Sequence, residues 1–151
     1  MNLNKEEVFK QAVLILKTRI QELKEERKAI SDGILEDDKS SAGDKFETGR
    51  EMLTQDLRQV ESQITSNSNL LDEIYRVQSV KSQSSNVREG SLIRLAGEYF
   101  LIAAAVGKIT VNEQGLYLIS AASPLAQSVM GKGSGDKVLF KGKESPVELI
   151  A

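Results

Sequence analysis

Five carboxylates, Glu36, Asp37, Asp38, Asp44 and Glu47, fall in the stretch from Glu36 to Glu47, opposed only by Lys39 and Lys45. The rest of the reactive inventory is thin. With no cysteine and no histidine, thiol and imidazole chemistry is removed, and with it the commonest zinc, haem and triad arrangements. No nucleophile or base constellation stands out, so the chain alone is not expected to be an enzyme. The acids read as a tip meant to enter another macromolecule's active site. A plainer reading stays open on this segment alone: a scaffold or oligomerisation arm whose charged turn is merely solvated. Gly131-Lys-Gly-Ser-Gly135 invites a phosphate-loop reading, which we reject. A P-loop lies between a strand and a helix that begins with Lys-Ser/Thr, whereas these glycines follow a predicted helix and precede a predicted strand.

Two helical segments must hold the acidic tip. Asn4 reads as an N-cap, with Glu6 and Glu7 in the first turn. Phe9, Val13, Leu16, Ile20, Leu23, Arg27, Ile30 and Ile34 then recur at alternating spacings of four and three, a coiled-coil seam. Gly33 weakens the helix near its end. The pattern repeats at Phe46, Arg50, Leu53, Leu57, Val60, Ile64, Asn67, Leu71 and Ile74, after a capping box opened by Ser41. Folding the segments together pairs Ile34 with Phe46, Leu23 with Leu57 and Ile20 with Val60, numbers that sum to 80 each time and place the bend near Ser40. Each arm of about 30 residues would be ~45 Å long. Arg27 and Arg50 are expected to snorkel out of the seam. Asn67 reads as a register device or a frayed position near the base.

The period changes after the second segment. Residues 80–89 are polar and serine-rich and read as a linker between a hairpin over 1–79 and a β-rich domain over 90–151. Ser91–Leu95, Tyr99–Val106, Leu116–Ser120, Lys137–Lys141 and Val147–Ile150 read as strands separated by glycine-bearing turns. Ser123-Pro124 opens one short helix, running to about Met130 before Gly131 stops it. The expected fold is α+β: a long antiparallel helical hairpin, then a small, mostly antiparallel sheet with one short helix.

Charge divides unevenly. Residues 1–79 carry 12 basic and 16 acidic side chains, and residues 80–151 carry 8 and 6. No strongly basic face suited to duplex nucleic acid emerges, so a protein partner is expected, without sequence-specific DNA binding. No apolar run approaches the ~20 residues of a membrane span. There is no signal-peptide pattern, and a cytoplasmic protein is the expectation.

The segment Ile119-Ser-Ala-Ala-Ser-Pro-Leu-Ala-Gln-Ser-Val-Met-Gly-Lys132, with Gly135-Asp-Lys-Val138 after it, resembles the C-terminal signature of the Gre transcript-cleavage factors. That signature runs Ile-Ser, Ser-Pro-Leu-Gly, an apolar pair, Gly-Lys, and Gly-Asp before a final strand pair. Gly90-Ser91 and the Ala-Val-Gly107 segment also fit, and an N-terminal coiled coil before this domain is the family's architecture. The resemblance implies a C-terminal domain similar to FK506-binding proteins that docks at the rim of RNA polymerase's secondary channel. Its polymerase-binding residues would be Ser123, Pro124, Leu125, Gly131, Lys132, Gly135 and Asp136. It further implies that Asp37 and Asp38, with Glu36 and Asp44 in support, help hold a second catalytic Mg²⁺ shared with the polymerase, which then cuts backtracked RNA. No cofactor is expected in isolation. Lys24, Arg27 and Lys28 would lie near the RNA 3′ segment, or simply form a solvated face.

The tip departs from the family pattern. Cleavage factors carry Asp-x-x-Glu shortly before Asn-Ala-Glu-Tyr, and matching that tyrosine to Phe46 puts the acidic positions on Lys39 and Ala42. A reshaped loop presenting Asp37 and Asp38 is one expectation. A non-cleaving secondary-channel regulator of initiation is another, and a coiled-coil adaptor a third.

Overall fold

Asn4 starts the first helix. Its Oδ1 accepts the Glu6 N–H at 2.9 Å and its carbonyl accepts the Val8 N–H at 3.0 Å, which occupies a donor that the helix start leaves open. Leu3 and Val8, on either side of this cap, are both buried, as in a hydrophobic staple. The computed structural model describes residues 3–39, 45–80 and 84–151, and the side chains of these apart from 37–39 and 45–48. Helices α1 (Lys5–Lys39) and α2 (Lys45–Ser79) each hold 35 residues. The expected cap at Ser41 lies outside the described residues. By compactness the chain forms two units, one of Ile15–Asn69 and one of Met1–Leu14 with Leu70–Ala151.

Within Ile15–Asn69 the heptad stripe is the buried stripe. Leu16 and Val60 are buried, and Ile20, Leu23, Ile30, Ile34, Leu53, Leu57 and Ile64 are half-buried, while most residues between them are exposed. Arg27 is half-buried and Arg50 exposed. The register, however, differs from the expected pairing. A Cβ placed on Gly33 would lie 3.8 Å from Leu53 Cδ1. Pairs summing to 80 would instead set Gly33 opposite Glu47, about 9 Å along the axis from Leu53. The helices are slid along each other relative to that expectation. A seam that repeats every 3.5 residues returns apolar to apolar after such a slide, so periodicity does not fix it. Helix α1 continues past Gly33 to Lys39.

The other unit is built on six strands: β1 (Leu92–Leu95), β2 (Glu98–Ala103), β3 (Gly107–Val111), β4 (Gln114–Ser120), β5 (Lys137–Phe140) and β6 (Lys143–Leu149), with α3 (Pro124–Val129) between β4 and β5. They form one sheet in the order β3-β4-β2-β1-β6-β5. All neighbours are antiparallel except β2 and β4, where Phe100 pairs with Tyr117 and Ile102 with Ile119 in parallel. The α+β class and the mostly antiparallel sheet stand as expected. Strand β3 was not expected. Tyr99–Val106 is not one strand but ends at Ala103, where the Val106 N–H donates to the Ala104 carbonyl at 2.8 Å and Gly107 takes φ +95°, starting a new strand.

One sheet face carries Ile93, Leu95, Phe100 and Ile102, packed with Ala126 and Val129 of α3 and with Val138 and Val147. Phe100 stacks on Tyr117 at 5.6 Å and meets Phe140 edge-on at 5.9 Å. On a flat sheet, three strand spacings would hold β2 and β5 about 14 Å apart, so the sheet curls to bring β5 over this face. Leu92, Leu101, Leu116 and Leu118 are also fully buried. Val8, Ala12, Ile74 and Val77, at the roots of α1 and α2, are buried in the same compact unit.

Candidate functional site

The acid run falls on the end of a helix. Glu36, Asp37 and Asp38 belong to the last turn of α1. Glu36 is exposed, and the side chains of Asp37 and Asp38 lie outside the described residues, as does Asp44. Three successive carboxylates at a helix C-terminus face the negative end of the macrodipole, each at a cost of about 0.3–1 kcal/mol. Helix stability therefore does not account for them. Their donor set is all oxygen, which suits a hard divalent cation. Among the described residues no group of three or more carboxylates is placed to hold a metal unaided. Lys24 and Lys28 are exposed on α1, and Arg27 is half-buried.

The residues of the C-terminal signature come together around α3 and the loop after it, and most have a definite structural task. Ser123 is the N-cap: its Oγ accepts the Ala126 N–H at 3.2 Å, with Pro124 at the first helical position. Leu125 packs against the core cluster. Gly131 and Gly135 take φ of +79° and +93°, a region that L side chains rarely adopt. Asp136 closes the loop, its Oδ2 accepting the Gly133 N–H at 2.8 Å. Lys132 is exposed.

This loop is tied down on both sides. The Gly131 N–H donates to the Val87 carbonyl and the Val87 N–H to the Lys132 carbonyl, both at 2.7 Å. The Gly135 N–H donates to the Val147 carbonyl at 2.8 Å, and the Leu149 N–H to Ser134 Oγ at 2.8 Å. The amides of Gly131, Gly133 and Gly135, which a phosphate cradle would need, are thus engaged within the protein. Val87, in the stretch read as a linker, is only 2% exposed and belongs to the core.

Sequence reasoning missed the root of the helices. Arg76 Nη1 and Nη2 donate to Glu89 Oε1 and Oε2 at 2.8 and 2.9 Å, and Nη2 also reaches Glu73. Glu89 and then Glu73 hold the guanidinium pKa above its ordinary value. Gly90 follows at φ +92°, where a Cβ would sit 3.5 Å from Val77 Cγ1. Across the unit, Asn112 Nδ2 donates to Glu7 Oε2 at 2.6 Å. The pairing of Arg76 with Glu89 and of Asn112 with Glu7 is not marked by local pattern, because the partners lie 13 and 105 residues apart. No helix among the described residues is long and apolar enough to cross a membrane. A scan against protein-family models and a search of curated proteins each returned no match to this chain.

Proposed function

We propose that the chain is a Gre-like transcription elongation factor that binds RNA polymerase at the secondary channel and stimulates cleavage of backtracked transcripts. Carrying this reading is the run Glu36-Asp37-Asp38 at the end of α1, where negative charge disfavours the helix and so calls for another purpose. The order of parts supports it: two long helices, then a curled sheet with a serine-capped helix and a closed glycine loop formed by the signature residues. In this reading Asp37 and Asp38, with Glu36 and Asp44 in support, would hold a magnesium ion of the polymerase active site. That ion would help activate a water and stabilise the oxygens of the cleaved phosphodiester. The residues around α3 and Gly131–Asp136 would meet the polymerase. The chain acts as a cofactor to the polymerase's own nuclease and works in the cytoplasm.

A second reading, a non-cleaving regulator in the same channel, is favoured by one observation. With Phe46 matched to the family's tyrosine, Lys39 and Ala42 stand where cleavage factors carry acids. Purified protein added to backtracked elongation complexes separates the two. Transcript shortening that disappears in Asp37→Ala/Asp38→Ala is the expected result. Unchanged RNA together with altered initiation favours the regulator, and no association with polymerase removes both.

A further inference from the structure

We propose that the free edge of β3 pairs with β3 of a second copy of this chain, antiparallel about a two-fold axis at Ile109, so that two sheets join into one. This is independent of any role at the polymerase. The six-stranded sheet has two edges, β3 and β5. Strand β3 turns into β4 through Asn112 and Glu113, both at positive φ (50° and 67°), with Val111 paired to Gln114. A two-residue turn of this kind is closed by a pair that exchanges both backbone hydrogen bonds, and such pairs then alternate along the hairpin. Val111, Ile109 and Gly107 therefore bond inward to β4. The N–H and C=O of Lys108 and Thr110 point outward, and no other backbone group among the described residues meets them.

The outward groups are self-complementary. With the axis at Ile109, Lys108 of each copy lies opposite Thr110 of the other, and each of these two pairs exchanges two backbone bonds. Ile109 meets its own counterpart in the pair between them, where strand side chains come closest. Thr110, Ile109 and Val111 suit a strand, and no two lysines stand opposite each other. Sheet edges are commonly guarded by a projecting lysine. Lys108 lies back across β4 instead: its Nζ is 5.8 Å from the Tyr117 ring centroid, and its Cε would stand 3.2 Å from a Cβ on Gly115. The other edge differs. Its Lys141-Gly142 turn (φ 50° and 80°), closed by Phe140 and Lys143, leaves Lys137 and Leu139 of β5 outward. Lys137 is exposed there and α3 packs beside the strand, so β3 is the edge open to pairing.

Sedimentation equilibrium of the full chain tests the pairing. The average mass is expected to rise above the 16.6 kDa of one chain as the concentration approaches about 1 mM. Over the same range the Lys108 and Thr110 amides should gain protection from hydrogen exchange, while the Ile109 amide, already bonded to β4, should not change. Thr110→Pro deletes one outward donor from each copy, at a position where an edge strand tolerates proline. It should weaken dimerisation at least about tenfold with circular dichroism unchanged. Thr110→Lys keeps the backbone donor but sets a like charge opposite Lys108 of the other copy, and should weaken dimerisation about fivefold. The mass of a single chain at about 1 mM, wild-type dimerisation by either folded variant, or protection centred elsewhere, as on the helices, would overturn the proposal.

Discussion

The two compact units solve the problem of burying a core in opposite ways. In Ile15–Asn69, only Leu16 and Val60 are buried among the described side chains, and most other described seam residues are half-buried, with Arg50 exposed. In the sheet unit, Leu92, Ile93, Leu95, Leu101, Ile102, Leu116 and Leu118 are all buried essentially completely. Two helices can hide only a narrow strip from water, whereas a sheet covered on both faces hides nearly every apolar side chain of its middle strands. The helical unit is thus specified by repetition and the sheet unit by particular neighbours. Asn67 shows how loosely the first is specified. It stands in the seam, yet its Nδ2 turns back to the Gln63 carbonyl of its own helix at 2.8 Å.

The largest expected effect tests this contrast directly. Leu101→Ala should destabilise the sheet unit by about 3 kcal/mol through transfer and cavity terms, while Ile64→Ala in the hairpin should cost only about 1 kcal/mol because that side chain is already half in water. Urea unfolding measures both, and equal losses would erase the distinction. Next comes Gly90→Ala. Its positive φ and the 3.5 Å approach of Val77 Cγ1 predict a loss of about 1–2 kcal/mol, read as a lower melting temperature. Ser123→Ala should cost about 1 kcal/mol through loss of the α3 cap, with Ser123→Asp restoring most of it.

In the hairpin the sign reverses. Gly33→Ala has room, since Leu53 Cδ1 stands 3.8 Å from the new Cβ, and should gain about 0.5–1 kcal/mol of helix stability. Slower amide exchange around residue 33 would register it, and no gain would mean that the helices lie closer than described.

The smallest effect concerns Lys5. Its folded pKa is lowered from 10.5, so below that folded value the ammonium is charged in both states and the folded state bears the unfavourable burial. Stability should recover as pH rises through the lowered value towards 10.5. The difference between wild type and Lys5→Gln should therefore shrink over that interval, and a constant difference would contradict the buried charge.

What the sequence disclosed follows the same division. The helix start at Asn4 and the Ser123-Pro124 cap were legible because each is a local device with its own residue types. The heptad stripe was legible too, but not the register, since a seam of nearly equivalent apolar positions looks the same after a slide that returns apolar to apolar. Strand β3 escaped because Ala103-Ala-Ala-Val106 reads as unbroken strand, while the turn there is made by backbone geometry and Gly107. The parallel pairing of β2 with β4 has no local signal at all. Of the candidate site, the clustering of acids was plain from composition. Their place on α1's final turn rather than in a loop depends on how far the helix propagates past Gly33. The signature around α3 was legible as a motif, but the tasks of Gly131, Gly135 and Asp136 needed the backbone to be seen.

Strand β1 lies between β2 and β6, and its first residue exchanges backbone hydrogen bonds with Ile150 and Ala151. During synthesis on the ribosome both long helices leave the exit tunnel well before β6 does. The helices can zip together from local contacts as they appear, but β1 keeps one edge open until the last strand arrives. A nascent chain stalled near residue 140 would thus lack β6 and leave that edge of β1 unpaired.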